Sequence, residues 1–450
     1  MFYTPVPRVR PLLTLLSFIV PAMSVAQTPN AQDHEARIQQ LEKQIEELRR
    51  QQQSTAPAAP AASAAAASGP PPQHIQDTPI TPNASPGTRF SYGGFIKLDA
   101  LLTDTTAGEL ADGSVGRLFY VPSAIPVGGA NEGTDLDAHV QFSRFWFGTD
   151  TTLPSNDKLR SYIELDLFGG GSNAFLGNEV ATNTYGVTLR HAYVSWNGWL
   201  AGQTWSNFQD ATALPDSVDF IGPTEGTIFV RQAQLRYTRG AWTFSAENPE
   251  TTVATLHGTG PRISSDDNSV PDVTARWLTK GTWGHFTVAA LVRQFKYQDS
   301  ATHIDDSSTG AALTVSGKWN LGAHDDLRYM ASGGSGIGRY LGLAISSDTV
   351  IDTSGSLDAI DGLGGFLAWR HVISPKWRGN LFYSIARFDN DTALTGLAVT
   401  RRVQSVHLNL ICSPLPKLDV GAELSWAERT LESGADGALR RLHMHVKYNF

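Results

Sequence analysis

Residues that could do chemistry gather in this chain by alternation rather than by motif. In the closing segment RRLHMHVKYNF, Arg441, His443, His445, Lys447 and Asn449 share one parity, and Leu442, Met444, Val446, Tyr448 and Phe450 share the other. Side chains of a β-strand point alternately to opposite faces, so this segment is a strand with one basic and one apolar face. A row of cations lowers the barrier for an anion moving past it. His443 and His445 are spaced to share a metal, but Arg441 and Lys447 beside them repel a cation, and no metal is expected. The run GGSGIG at 333–338 has no helix after it to receive a phosphate, and serine, histidine and aspartate occur without a nucleophile elbow. Neither a catalytic group nor a cofactor follows from these residues.

The elements that must carry this alternation come next. From Thr88 the chain consists of short alternating segments near 89–102, 138–152, 158–168, 187–197, 199–205, 228–239, 241–248 and 270–280, then 283–297, 310–321, 325–332, 362–373, 376–389, 402–412, 417–430 and 439–450. The connections alternate between long or medium stretches and tight turns such as LPSND, NG, RG, GT, GAH and SP. A soluble sandwich has no reason to sort its connections this way. An outer-membrane barrel does, with short turns at one end and long loops at the other. The expected fold is therefore all-β, an antiparallel transmembrane β-barrel of about sixteen strands, the porin size range. Trp196, Trp199, Trp242, Trp277, Trp283, Trp319 and Trp377 all lie beside tight turns, as an aromatic girdle at the membrane boundary would require. The terminal strand would then close the barrel, and its final aromatic carboxylate resembles an outer-membrane insertion signal.

The amino terminus reads differently. Arg8 and Arg10, the apolar stretch Leu12–Met23 and the small residues Ser24 and Ala26 form a secretory leader over 1–26. Ile38, Leu41, Ile45 and Leu48 fall at a and d positions, so 27–53 is expected to be a short coiled coil for oligomerisation. Residues 54–87, rich in alanine, proline and serine, read as an extended linker, leaving 88–450 for the barrel. Cys412 is the single cysteine, so no disulfide can hold an exported chain of this size and sheet closure must serve instead. The net charge of −8, which becomes −10 once Arg8 and Arg10 leave with the leader, argues against nucleic acid.

With the apolar parity assigned to lipid, the other parity lines the lumen. Lys97 and Asp99 face in, as do Arg160, Glu164 and Asp166, and by the same rule Arg144, Arg190, Arg236, Arg276, Arg293, Lys318, Arg328 and Arg378. A charge on the lipid face near mid-bilayer would cost about 2–4 kcal/mol, which favours this placement whatever the residues do. Inward carboxylates are fewer, so the wall is expected to be net basic and to prefer anions. The alternative for each arginine is a carboxylate pair that only stiffens the barrel. The long connection 206–227 mixes Asp210, Asp216, Asp219 and Glu225 with Leu214, Val218, Phe220 and Ile221. An apolar loop of this kind can fold inward and narrow the bore, setting acidic groups against a basic wall.

The segments YGGFIKLDAL, QFSRFWFGTD, LRHAYVSWNGWLAGQTWSNF, RQAQLRYTRG and PDVTARW, behind a leader, coiled coil and linker, resemble the DcaP-like family of trimeric outer-membrane porins. The resemblance covers nearly the whole mature chain, and GGFIKLDA and GQTWSNF are its most specific parts. It implies a homotrimer of sixteen-stranded barrels, with the coiled coil joining the subunits in the periplasm. It also implies uptake of small anions such as dicarboxylates and aromatic acids, with Lys97, Arg144, Arg160, Arg190, Arg236 and Arg276 on the lumen wall. Outer-membrane lipid and lipopolysaccharide are the expected surroundings, with peptidoglycan near the stalk. The competing readings are a sugar or general diffusion pore, a structural tether and, from another class, a barrel hydrolase.

Overall fold

The computed structural model of the protein describes residues 87–169, 183 and 185–450. The leader, the heptad segment, the linker up to residue 86 and most of the second long connection lie outside these residues. Strands β1 (Thr88–Thr105), β2 (Thr134–His139), β3 (Arg144–Thr152), β4 (Lys158–Gly169), β5 (Gly186–Trp196), β6 (Trp199–Trp205) and β7 (Arg231–Arg239) come first. They are followed by β8 (Trp242–Glu247), β9 (Thr251–Ala254), β10 (Ile263–Ser265), β11 (Asp272–Gly281), β12 (Gly284–Asp299), β13 (Ile304–Leu321) and β14 (Asp325–Ser335). The series ends with β15 (Thr349–Ile351), β16 (Leu357–Ala359), β17 (Asp361–Ser374), β18 (Trp377–Asp389), β19 (Thr400–Leu415), β20 (Leu418–Leu431) and β21 (Asp436–Asn449).

All but β9, β10, β15 and β16 belong to one antiparallel sheet. β2 and β3 pair with successive parts of β1, so together they form one stave and the sheet has sixteen. β21 pairs with β1 from Asn449↔Phe95 to Leu439↔Thr105, which shuts the ring and leaves no open edge. The four short strands make a separate small sheet from the connections 248–271 and 336–360.

The outer face follows the sequence parity. Ile96, Leu98, Leu408, Leu410, Leu424 and Val446 are exposed and apolar, as lipid contact demands. At the tight-turn end Trp196 pairs with Trp199 and Trp242 with Trp277, while Trp283, Trp319 and Trp377 stand exposed nearby. The turn between Trp196 and Trp199 has Asn197 and Gly198 at φ 47° and 83°, the double positive φ of a type I′ hairpin. Gly93 meets a different need: a Cβ there would come within 2.7 Å of the Trp146 indole, which lies over it.

Two elements differ from the sequence expectation. The strand expected over 138–152 is interrupted at 140–143, where the chain steps from pairing with the second half of β1 to pairing with the first. β13 begins at Ile304 rather than near 310, so its connection to β12 shrinks to 300–303. Polar alternation of the type DDSSTG still forms ladder hydrogen bonds above the membrane, where no apolar face is needed.

The wall is of uneven height. β12 and β13 have 16 and 18 residues, whereas β6 and β8 have 7 and 6. At about 3.4 Å per residue and a tilt of about 40°, six residues rise only about 15 Å, against about 25 Å for the apolar band.

Candidate functional site

The connection 206–230 folds into the bore. Its apolar residues Phe208, Val218, Ile221 and Ile228 are buried, and so are Asp210, Asp219 and Glu225. The loop is fastened to the wall at several staves. His285 Nε2 on β12 lies 2.8 Å from Asp210 Oδ2, and Ser316 on β13 donates to the same oxygen at 3.1 Å. Glu423 on β20 accepts from Ser217 Oγ and from the Val218 N–H, each at 2.8 Å, and is itself held by His407 and Asn409. Lys97 Nζ on β1 donates to the Val218 carbonyl at 2.8 Å and pairs with Asp99 at 2.7 Å. Asp216 pairs with Arg378 and, at 3.9 Å, with Arg370.

The loop carboxylates are not equivalent. Burial by itself would raise Asp210 and Asp219, but the facing His285 and His443 outweigh it and hold both below the usual carboxylate range. Glu225 is wholly enclosed, and there burial prevails and pushes the carboxyl up.

Two further connections enter the bore that sequence reasoning left outside. Residues 115–125 bring Phe119 and Tyr120 inward, where the Tyr120 N–H donates to Asp219 at 2.8 Å. Phe119, Phe142, Phe168 and Phe220 form an aromatic cluster, with Phe142 stacked on Phe220 at 4.3 Å. Residues 337–348 bring Tyr340, Leu341 and Ile345 inward, where the Tyr340 hydroxyl donates to Asp272 at 2.8 Å. The signal was there to use: RLFYVPSAI and GRYLGLAI are apolar runs inside connections, the feature that marked 206–227.

The inward cations divide into four groups. Arg144 and Arg190 face Glu164 and Asp166; Arg190 reaches them at 2.8 and 2.7 Å, with the register shift beside it in the β4–β5 pairing turning both Arg190 and His191 inward. Arg293, expected on the lumen wall, is 2% exposed and enclosed by Asp272 and Asp348, with further bonds to the carbonyls of Gly336 and Glu250. It ties two connections together and presents no charge to open space. Arg160, Arg236 and Arg276, with Lys318, have no carboxylate within ion-pair distance among the described residues. Arg236 and Arg276 donate instead to the carbonyls of Trp205, at the end of β6, and of Gln209 in the loop. On β14, β17 and β18, Arg328, Arg370 and Arg378 are matched by Asp326, Asp216 and Asp419. The wall thus carries cations matched by carboxylates next to cations that have no ion-pair partner among the described residues.

A closed sixteen-stave barrel with an apolar outer band, a tryptophan girdle and a charged bore partly filled by its own loops is an outer-membrane channel. The chain belongs to the DcaP outer membrane protein family, whose profile matches residues 35–450. Among solved structures it is similar to the outer membrane channel DcaP of Acinetobacter baumannii, at 23% identity and a TM-score of 0.66, over 81% of this chain and 98% of that one. It is also similar to a loop-deletion mutant of OmpT, an outer membrane protein of Vibrio cholerae, at 14% identity and a TM-score of 0.50, over 81% of this chain and 100% of that one. Among curated protein sequences none matches.

Proposed function

We propose that this outer-membrane channel passes small anions passively, dicarboxylates and aromatic acids among them, and performs no catalysis. The observation that carries the reading is the set Arg160, Arg236, Arg276 and Lys318, none of which has a carboxylate within ion-pair distance among the described residues. Cationic side chains along a narrow path favour anions, and fixed carbonyl partners hold Arg236 and Arg276 in place without cancelling their charge. Membership of the DcaP outer membrane protein family supports the channel part of this reading. The low wall at β6–β8 supports a homotrimer, because strands too short to span the apolar band are best covered by neighbouring copies of the chain. The heptads at 27–53 would add a second contact.

The test is the zero-current potential of the purified protein in a planar bilayer under a salt gradient. Chloride preference that weakens when Arg160 and Arg236 become glutamine supports the reading. Cation preference in the unaltered protein overturns it.

A further inference from the structure

The outer face of β17–β19 carries a feature that the channel does not use. On the outward parity of β18, Trp377, Leu381 and Tyr383 are exposed, and the next charge is Arg387. From Trp377 to Arg387 is about 33 Å along the strand and about 25 Å along the membrane normal, the height of the apolar band. Arg387 therefore stands where the band ends on the long-loop side.

It does not stand alone. Arg387 pairs in register with Arg402, and like charges directly opposite each other destabilise a sheet unless something offsets them. Arg402 has Glu428 at 2.9 Å. The register shift between Thr400 and Arg402 leaves Arg401 exposed beside the pair, and neither Arg387 nor Arg401 enters an ion pair or hydrogen bond among the described residues. Both residues line a groove of about 550 Å³. Its floor is Gly333, Gly334 and Gly362 with Leu363, which is 62% exposed. The groove combines two cations that lack ion-pair partners with the exposed apolar side chain of Leu363. Asp361 and Asp389 also border it, opposite each other in register. A phosphorylated lipid with its divalent counter-ions would meet both signs of charge there.

We propose that this groove seats a lipopolysaccharide headgroup, with a lipid A phosphate on Arg387 and Arg401 and an acyl chain along Leu363. Guanidinium forks match phosphate oxygens in pairs, and basic pockets beside an apolar wall recognise charged lipid headgroups. Family membership places the protein in the membrane whose outer leaflet carries this lipid, and the inference holds whichever solute crosses the bore.

The experiment titrates the delipidated full-length protein in detergent with bisphosphorylated lipid A. Dephosphorylated lipid A, phosphatidylglycerol and inorganic phosphate serve as separate probes, and bound lipid is read by native mass spectrometry. The expected result is saturable binding of the bisphosphorylated form, weakened about tenfold in Arg387→Gln/Arg401→Gln, with unfolding temperature, oligomeric mass and conductance unchanged. Equal binding by the double variant overturns the proposal. Equal binding of dephosphorylated lipid A removes the role of the phosphate, and equal binding of phosphatidylglycerol or inorganic phosphate makes the groove a general anion surface; either result also overturns it. Loss of oligomeric mass in the double variant would assign the face to contacts between copies and sink the idea. Should the double variant fail to fold, Arg401→Gln alone, an exposed position, carries the same comparison.

Discussion

His443 joins two carboxylates from different parts of the chain: its Nε2 lies 2.8 Å from Asp99 Oδ1 on β1, and its Nδ1 faces Asp219 Oδ2 of the inward loop at 3.5 Å. A wall histidine thus stands between the first strand and the loop that narrows the bore. Replacing it with leucine leaves two buried carboxylates facing each other without a mediator. Breaking such a buried arrangement costs about 3–5 kcal/mol. The expected outcome for His443→Leu is a lower unfolding temperature together with larger current fluctuations, read by calorimetry and single-channel recording.

Acid should act on the same loop, and the sign can be worked out. Asp210 and Asp219 are held below the ordinary aspartate value of about 3.9. Their contribution to stability is complete above that value and is lost as pH falls through their lower folded values. Glu225 has the opposite sign: its raised value contributes stability below about 4.3 and gives it up as pH rises through the folded value. Stability measured from about pH 5 down to about pH 2 should fall less steeply in Asp219→Asn. At neutral pH, Glu225→Gln should be at least as stable as the parent protein.

Asp216 neutralises one arc of the bore by pairing with Arg370 and Arg378. Asp216→Asn should therefore raise the chloride-to-potassium permeability ratio roughly two- to fivefold, equivalent to about 0.5–1 kcal/mol. An unchanged reversal potential would show that ions pass only along the Arg236 side.

Arg293 has two buried carboxylate neighbours and holds the connections that carry β9 and β15. Arg293→Met should lower stability by about 3 kcal/mol and open 248–271 and 336–360 to protease, while the reversal potential stays where it is. A large selectivity change with intact loops would return Arg293 to the conduction path.

Much of the barrel was legible because its two rules are local. Alternation fixes which side chains of β1 and β21 meet lipid, and a dipeptide such as Asn197-Gly198 fixes where the chain reverses. The bore was legible only in part. Parity shows that Arg190, Arg236 and Arg293 leave the lipid face, but not whether a carboxylate waits for each. That depends on partners far away in sequence, such as Asp348 for Arg293. The loops entering the bore were under-read for a similar reason: apolar content marks a loop that must bury something, and Tyr120 and Tyr340 find their burial only once the ring exists.

The pairing of Phe95–Thr105 with Leu439–Asn449 also bears on how the molecule is made. The first and last staves are neighbours, so until they pair the sheet has two open edges in need of protection. Once the seam is shut there is no end from which the sheet can fray. Undoing it means breaking a whole ladder at once, so the finished protein should owe its persistence as much to slow unfolding as to a favourable equilibrium.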